Sequence, residues 1–333
     1  MSSKDLYLYF HSPCFDGIAS SVLLIDFLET QRRYKLKELV PVNYDQRSEW
    51  VRTTLKKHSA VVDFLYHPEA VYWADHHLTT FISDEVENDF NHRKNQYLTY
   101  EPSSPSCAEL LWNHLKEAFN YRNHAYSDLV KWATKIDAAK YENVEEAIFG
   151  DSPAIKIRAG LAQKGSKDLS VKLVKELKSS SLEEVAKLPE IVQASREITR
   201  LTRLGLKRFK KSSRVVDDNI VIFDVDNRDV LIDRYSPYYF YPEARYSLGL
   251  IRSEKGITIT AMRNPWLKFQ SMYLGRIFEK FGGGGHRRVG SVVFPTDREA
   301  DAKAAFFRLF ELVRDKDTRI GGHSPRDQEF QFL

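Results

Sequence analysis

The sequence predicts an α/β protein with a doubly wound parallel sheet in an N-terminal domain, a smaller mixed α/β C-terminal domain, and a helical linker between them. Short apolar runs alternate with segments of helical periodicity through the first half of the chain. The 333 residues exceed what one hydrophobic core usually organises. From Arg214 onward the sequence becomes rich in aromatic and β-branched residues. We therefore expect domain boundaries at 1–185, 186–213 and 214–333.

The first strand–loop–helix unit of the predicted sheet lies at the N-terminus. A strand-like run at 6–10 leads into the polar loop 11–17, and apolar residues then recur at helical spacing from 18 to about 34. A second strand is predicted at 39–42, followed by a helix through about 57. Because strands that alternate with helices form parallel sheets, the loops after these strands should meet at one edge.

Two further apolar runs end in acidic or imidazole side chains. The run 60–62 is followed by Asp63, and the run 71–74 by Asp75, His76 and His77. With His11 and Asp16 from the first loop, these residues should emerge together, at the edge where ligands bind in open α/β sheets. A polar loop after a strand is the alternative for any single run. The convergence of several such loops favours a metal or proton-transfer site.

The next part of the N-terminal domain is predicted to be helical except for residues 83–100, which are mostly polar and predict a loop. Residues 103–106 indicate a helix start before a helix at 108–118. A second helix, 126–139, contains Asp137, which could point toward the same site, although an acidic residue on a helix is usually solvated. The charged helical stretch 167–211 is predicted to connect the two domains.

The C-terminal part predicts strands at 219–225, 246–251, 256–263 and 291–294 and a helix at 298–316. Before the last strand lie four consecutive glycines, 282–285, followed by His286, Arg287 and Arg288. Glycines leave backbone N–H groups open to an anion, and the basic residues add positive charge. A flexible linker is the alternative, but linkers usually mix glycine with serine. The run is neither a Walker loop nor a dinucleotide fingerprint.

Composition narrows the class of protein. No apolar run approaches the ~20 residues that cross a bilayer, and the N-terminus does not resemble a secretory signal, so we expect a cytoplasmic protein with no membrane partner. The two cysteines, Cys14 and Cys107, offer no disulfide framework. A net charge of +4 permits a phosphate-bearing partner without requiring one.

Taken together, these motifs resemble the DHH phosphoesterase family, in its two-domain form with the DHH-associated C-terminal domain. The resemblance covers nearly the whole chain. It rests on the loop 11–17, on Asp63, on the Asp75-His76-His77 triplet, on Asp137, and on the glycine run that ends at His286. It implies a hydrolase that uses two divalent ions, usually manganese and otherwise magnesium or cobalt, to cleave phosphoester or phosphoanhydride bonds.

The resemblance also implies a role for each matching residue. Asp63 would bridge the two ions. Asp16, His76 and Asp137 would hold one ion and His11 the other, with Asp75 in or just behind the metal shell. His77 would contact the scissile phosphate or act as an acid. In the C-terminal domain, a terminal phosphate or nucleotide end would be bound by Gly283, Gly284, Gly285, His286, Arg287 and Arg263.

One departure from the family pattern concerns Cys14, which stands where the first loop usually carries an aspartate. The thiol could be a softer metal ligand or only a packing residue. We therefore keep three hypotheses: a two-metal phosphoesterase acting on short oligonucleotides or small nucleotides, a polyphosphate or pyrophosphate hydrolase, and an inactive nucleotide- or nucleic-acid-binding protein. The expected partner is a phosphate-bearing small molecule or a short single-stranded nucleic acid, and a homodimer is left open.

Overall fold

The computed structural model describes residues 3–162, 166–217, 219–254 and 256–321. The chain divides into two compact units, Met1–Tyr141 with Asp151–Ile198, and Glu142–Gly150 with Thr199–Leu333. Each unit is built around one sheet, parallel in the first and mixed in the second, so the predicted α/β fold class is confirmed. Sequence reasoning missed that the short segment 142–150 belongs to the second unit.

The sheet of the first unit has five parallel strands in the order β2-β1-β3-β4-β5. The order reverses between β1 and β3, because β2 lies on one side of β1 and the later strands lie on the other. Such a reversal opens a crevice at the carboxyl ends of the strands. The strands are β1 (Lys4–His11), β2 (Tyr34–Val42), β3 (Ser59–Val62), β4 (Tyr72–Asp75) and β5 (Leu98–Tyr100).

The described residues up to 211 contain nine helices. Helix α5 belongs to the second unit, and α9 runs from the first unit into the second. The helices are α1 (Phe15–Gln31), α2 (Asp84–Arg93), α3 (Cys107–Phe119), α4 (Ser127–Asp137), α5 (Val144–Phe149), α6 (Pro153–Leu161), α7 (Ser166–Leu177), α8 (Leu182–Val185) and α9 (Pro189–Lys211).

Alternation along the strands buries both faces of this sheet. In β1, Leu8 and Phe10 pack with α1 and α3 on one face, while Tyr9 between them packs on the other. In β4, Ala74 packs in the same cluster as Leu8 and Phe10, and Trp73 packs in the same cluster as Tyr9. Because apolar residues are needed on both sides, the strands read as continuous hydrophobic runs, as is typical of parallel sheets.

The predicted helix between β2 and residue 57 is wrong. The described chain forms only two short 3-10 turns there, Tyr44–Gln46 and Trp50–Arg52. The indole N–H of Trp50 donates to the carbonyls of Leu65 at 3.0 Å and Tyr66 at 3.2 Å, and the ring is buried. These tertiary bonds hold the segment against the sheet in an irregular path that a continuous helix could not follow.

The predicted loop at 83–100 is also wrong, since this stretch contains α2 and β5. The Ser83 hydroxyl caps α2 by accepting from the N–H of Val86. Val86 and Phe90, one turn apart, bury their side chains against the sheet while the rest of the helix is largely polar. An apolar stripe of two residues was too narrow to be recognised in the sequence.

The second unit contains a six-stranded mixed sheet in the order β10-β11-β9-β8-β7-β6, in which only β7 and β8 are parallel neighbours. Phe278 and Phe310 cover one face, and Phe209 of α9 packs on the other. The elements are β6 (Ser213–Val216), β7 (Ile220–Asp226), α10 (Ser236–Phe240), β8 (Tyr246–Ser253), β9 (Gly256–Arg263), α11 (Leu274–Glu279), β10 (Gly284–His286), β11 (Val289–Phe294) and α12 (Glu299–Gly321).

None of the described helices is both long enough and apolar enough to cross a lipid bilayer. The two longest helices, α9 and α12, carry charged residues along much of their length.

The Trp50 hydrogen bonds can be tested by substitution. Trp50→Phe keeps a buried ring but removes the donor, and an unsatisfied buried polar group costs about 1–3 kcal/mol. We expect the free energy of unfolding of the first unit to fall by about that amount, measured by urea denaturation with circular dichroism. Trp132→Phe is the control, because the half-buried Trp132 indole N–H makes no hydrogen bond to the described residues. Equal losses in both variants would contradict the prediction.

Candidate metal centre and glycine hairpin

Three site residues lie at the carboxyl ends of adjacent parallel strands. His11 is the last residue of β1, Asp63 directly follows β3, and Asp75 is the last residue of β4. Because β1, β3 and β4 are neighbours in the sheet, the three side chains reach the same edge. This edge includes the reversal of strand order between β1 and β3, where α/β sheets bind ligands.

Asp63 is the central residue of the site. Its side chain is 1% exposed, and neither carboxylate oxygen has a hydrogen-bond partner among the described residues. The backbone is left-handed, with φ of 56°, and such strain in a residue other than glycine concentrates at functional sites. A buried carboxylate without partners is costly unless a cation neutralises it. The environment of Asp63 therefore fits a metal ion.

The two oxygens of Asp63 face different groups. Oδ2 lies 3.4 Å from Nδ1 of His11. Oδ1 lies 3.7 Å from Nε2 of His76 and 3.8 Å from Nδ1 of His77. One carboxylate thus stands between two sets of candidate ligands.

Asp16 is held by the N-terminus of α3. Its Oδ2 accepts from the backbone N–H of Cys107 at 2.7 Å, and its Oδ1 accepts from that of Ala108 at 2.9 Å. Burial raises the pKa of Asp16, as do the charges of Asp63 and Asp137, while the two hydrogen bonds oppose that rise. The free N–H groups of a helix N-terminus thus fix this carboxylate beside the others.

The imidazole of His76 is oriented by a backbone carbonyl. Its Nδ1 lies 3.0 Å from the carbonyl oxygen of Ser104, and because a carbonyl only accepts, Nδ1 carries the proton. Nε2 then faces the carboxylates, 3.5 Å from Oδ2 of Asp137 and 3.7 Å from Oδ2 of Asp16. Such a second hydrogen bond to a backbone carbonyl is typical of metal-binding histidines.

Asp75 and His77 form a pair of their own. Nδ1 of His77 lies 2.7 Å from Oδ1 of Asp75, which also accepts from the backbone N–H of His76 at 2.8 Å. Burial tends to lower the pKa of His77, but the charge of Asp75 and this hydrogen bond raise it to about 10. Burial tends to raise the pKa of Asp75, and His77 outweighs it and holds that pKa below its ordinary value. Each member of the pair therefore favours the charged form of the other.

Among the described residues, three groups of side chains have ligand atoms close enough to share an ion, all within 4.8 Å of one another in each group. Oxygen and imidazole ligands of this kind suit divalent metals. The groups are His11 with Cys14 and Asp63, Asp63 with His76 and His77, and Asp16 with His76 and Asp137.

The structure thus brings together all the N-terminal site residues that the sequence predicted. Asp137, at the C-terminal end of α4, points into the cluster and is not a solvated helix residue. Cys14 precedes α1, and burial together with the charges of Asp63, Asp137 and Asp16 raises the pKa of its thiol.

Sequence reasoning missed Tyr44. Its ring centroid lies 5.0 Å from that of His11 and 5.9 Å from that of His77, and its buried hydroxyl has no hydrogen-bond partner among the described residues. Burial and the charges of Asp75 and Asp63 raise the pKa of this hydroxyl. Tyr44 lies two residues after β2 ends, so the strand-end rule that found His11 could have found it.

In the second unit, the predicted glycine loop is an ordered hairpin. Gly284–His286 form β10, which pairs with β11. A Cβ at Gly283 would lie 2.2 Å from the carbonyl oxygen of Ser291, and Gly285 has φ of 143°. Close packing therefore requires glycine at both positions, whatever the hairpin binds. The glycines alone are weaker evidence for an anion site than the sequence indicated.

Arg263 ends β9 beside this hairpin, and its backbone N–H donates to the carbonyl of Arg288 at 2.8 Å. Its guanidinium is mostly buried, donates to the carbonyls of Leu267 at 2.8 Å and Phe269 at 3.2 Å, and lies over the Phe269 ring. Burial and the charges of Arg288 and Arg287 lower the pKa of Arg263. The side chain therefore fixes the loop that follows β9.

No protein-family model matches this sequence, and no curated protein matches it. The structure is similar to that of PggH from Vibrio cholerae, a pGpG-specific phosphodiesterase, at 17% sequence identity and a TM-score of 0.63. The match covers 93% of this chain and 99% of PggH. It is also similar to the DHH domain of a member of the s1p family of ribosomal proteins, at 14% identity and a TM-score of 0.51, over 93% of this chain and 87% of that one. This chain has the DHH fold.

RecJ from Thermus thermophilus, in complex with Mn²⁺, shares the DHH fold at 13% identity and a TM-score of 0.57. The match covers 95% of this chain but 52% of RecJ, so this chain corresponds to about half of that protein. RecJ from the same organism also has a structure in complex with Mg²⁺, at a TM-score of 0.52. At these identities the likeness concerns the fold.

The unpartnered carboxylate of Asp63 leads to a test by thermal unfolding. Asp63→Asn removes one of several crowded buried charges, so we expect the metal-free protein to gain about 0.5–2 kcal/mol of unfolding free energy, as is common when active-site strain is relieved. The same variant should lose the stabilisation that Mn²⁺ gives the unaltered protein. Melting temperatures with EDTA and with MnCl₂ measure both effects.

The exposed Asp5 provides the matched control for that experiment. Asp5→Asn makes the same chemical change on the surface and should alter neither melting temperature. A metal-free Asp63→Asn protein that melts below the unaltered protein would contradict the prediction.

Proposed function

We propose that this chain is a metal-dependent phosphoesterase of the DHH family that hydrolyses phosphoester bonds of short oligonucleotides or small nucleotides. The observation that supports this most directly is the buried Asp63 carboxylate, which has no hydrogen-bond partner among the described residues and lies between two sets of candidate ligands. The similarity to a pGpG-specific phosphodiesterase and to RecJ, described as an exonuclease in a further structure, adds support from proteins of the same fold.

Two divalent ions are part of this proposal, with Mn²⁺ expected and Mg²⁺ or Co²⁺ as alternatives. Asp16, His76 and Asp137 would hold one ion, His11 the other, and Asp63 both. When bound, the ions would supply the positive charge that polarises a phosphoryl oxygen and offsets the carboxylates. The presence of Mn²⁺ or Mg²⁺ in RecJ agrees with this choice.

Asp75 and His77 would act on the substrate together. Asp75 fixes the imidazole of His77 and favours its protonated form. With Nδ1 donating to Asp75, the proton delivered to a leaving oxygen would be the one on Nε2. Asp75 would therefore orient His77, and we expect it to stand behind the metal ligands.

In this proposal, residues 1–185, except for the segment 142–150 that belongs to the second unit, would form the catalytic domain, 186–213 the linker, and 214–333 the substrate-binding domain. A terminal phosphate would be bound at the glycine hairpin by Gly283, Gly284, Gly285, His286 and Arg287. Arg263, whose guanidinium holds the neighbouring loop, would contribute positive charge from a buried position.

The proposed activity is tested with purified protein, MnCl₂ and a substrate panel. The panel contains pGpG, short oligoribonucleotides, a nucleoside 3′,5′-bisphosphate, a cyclic dinucleotide and inorganic polyphosphate. We expect release of mononucleotide or phosphate from one or more of the nucleotide substrates, loss of that activity by about 100-fold or more in Asp63→Asn, and no loss in Asp5→Asn.

Other results on the same panel would favour the alternatives. Cleavage of polyphosphate alone would indicate a polyphosphate or pyrophosphate hydrolase. Binding of nucleotides without hydrolysis, in protein that retains no manganese by metal analysis, would indicate an inactive binding protein.

The acid role of His77 gives a separate prediction. His77→Asn keeps a hydrogen-bonding side chain but cannot deliver a proton, so we expect a fall of about 100-fold or more in kcat for a nucleoside leaving group, as is typical of a lost general acid. A p-nitrophenyl ester, whose leaving group needs no proton, should be affected much less. Equal losses on the two substrates would instead indicate that His77 contacts the phosphate.

A further inference from the structure

We propose that the His11 side of the metal centre is a mixed nitrogen, oxygen and sulfur site in which Cys14 is a metal ligand. This site would prefer Zn²⁺ over Mn²⁺, so the centre would hold two unlike metal positions. The inference rests on the proposed function only in taking the cluster to be a metal centre.

The positions of the three ligand atoms support this assignment. The ligand atoms of His11, Cys14 and Asp63 lie within 4.8 Å of one another, and the His11 Nδ1 to Asp63 Oδ2 distance is 3.4 Å. Tetrahedral zinc with bonds of about 2.0–2.3 Å places its ligands about 3.3–3.8 Å apart. A shift of about 1 Å or less would therefore bring all three atoms onto one ion.

The neighbours of Cys14 also point to an ion. Both oxygens of Asp63 are buried without a hydrogen-bond partner among the described residues, and so is Nδ1 of His11. A thiol alone would be explained by packing. A buried carboxylate that makes no hydrogen bond to the described residues and faces both the imidazole of His11 and the Cys14 sulfur is not explained by packing.

The backbone holds the sulfur in place. Cys14 is extended, with φ of −143° and ψ of 134°, and its carbonyl accepts from the N–H of Ile18 at 3.2 Å. Upstream, the N–H of Ser12 donates to the carbonyl of Val42 at 2.8 Å. Gly17 fits tightly, because a Cβ there would lie 2.2 Å from the carbonyl oxygen of His11. A loop fixed at both ends presents the sulfur at a defined position, as metal sites require.

The chemistry of the three ligands explains why this site would prefer Zn²⁺ over Mn²⁺. A thiolate is a soft ligand, whereas manganese prefers oxygen, and divalent affinity rises from Mn²⁺ through Co²⁺ toward Zn²⁺. The group formed by Asp16, His76 and Asp137 offers two oxygens and one nitrogen, so it suits a harder ion. On binding, the sulfur–metal bond replaces the S–H bond and the proton passes to water, with no change in oxidation state.

Cobalt spectroscopy of the full chain tests the proposal. Protein stripped of metal and titrated with Co²⁺ should develop a sulfur-to-cobalt charge-transfer band in the near ultraviolet. The band should be absent from Cys14→Ser and Cys14→Asp and present in Cys107→Ala, the control at the other cysteine. Cys107 is buried, its thiol donates to the carbonyl of Ala74 at 3.3 Å, and its sulfur belongs to none of the ligand groups found among the described residues.

Competition between metals gives the second measurement. The ratio of Zn²⁺ to Mn²⁺ affinity should fall by about tenfold or more in Cys14→Asp, since even outer-shell changes typically cost that much. Cobalt binding without the band, together with an unchanged affinity ratio, would overturn the inference while leaving the proposed hydrolase intact. A band in protein that hydrolyses no phosphoester would support the sulfur ligand and count against the proposed function.

Discussion

The structure depends on holding several carboxylates together in a buried pocket. Asp16, Asp63 and Asp75 are almost completely buried, and Asp137 joins them from the end of α4. No lysine or arginine pairs with any of the four in the described residues. Charges of one sign placed together in a low dielectric repel strongly, so the fold must compensate each of them or leave the task to a cation.

The buried carboxylates differ in how far the protein compensates them. Asp75 pairs with His77, and Asp16 accepts from two N–H groups at the start of α3. Asp63, by contrast, has no hydrogen-bond partner among the described residues. The secondary structure around the site therefore has an electrostatic role: a strand end places Asp63, a helix start stabilises Asp16, and a carbonyl beside that start orients His76.

The sequence predicted the strand-end residues because an apolar run that stops at a carboxylate or imidazole is a local pattern. It missed Tyr44, whose aromatic ring reads as core, and the Ser104 carbonyl, since every residue has one. The path around Trp50 and the membership of 142–150 in the second unit depend on contacts between distant parts of the chain. Local propensity cannot predict such contacts, and α2 shows that polar composition can hide a narrow apolar stripe.

The charges of the ligands relate Cys14 to the other residues of the proposed metal centre. In the metal centre that we propose, Asp75 pairs with His77, and Asp16, Asp63 and Asp137 would be the carboxylates that face the ions. The two divalent ions of that proposal would bring four positive charges to these three carboxylates. A Cys14 thiolate bound to one of the proposed ions would supply a fourth negative charge. A cysteine ligand at this position would thus match a carboxylate ligand in charge and differ from it in softness, which connects Cys14 with the proposed centre.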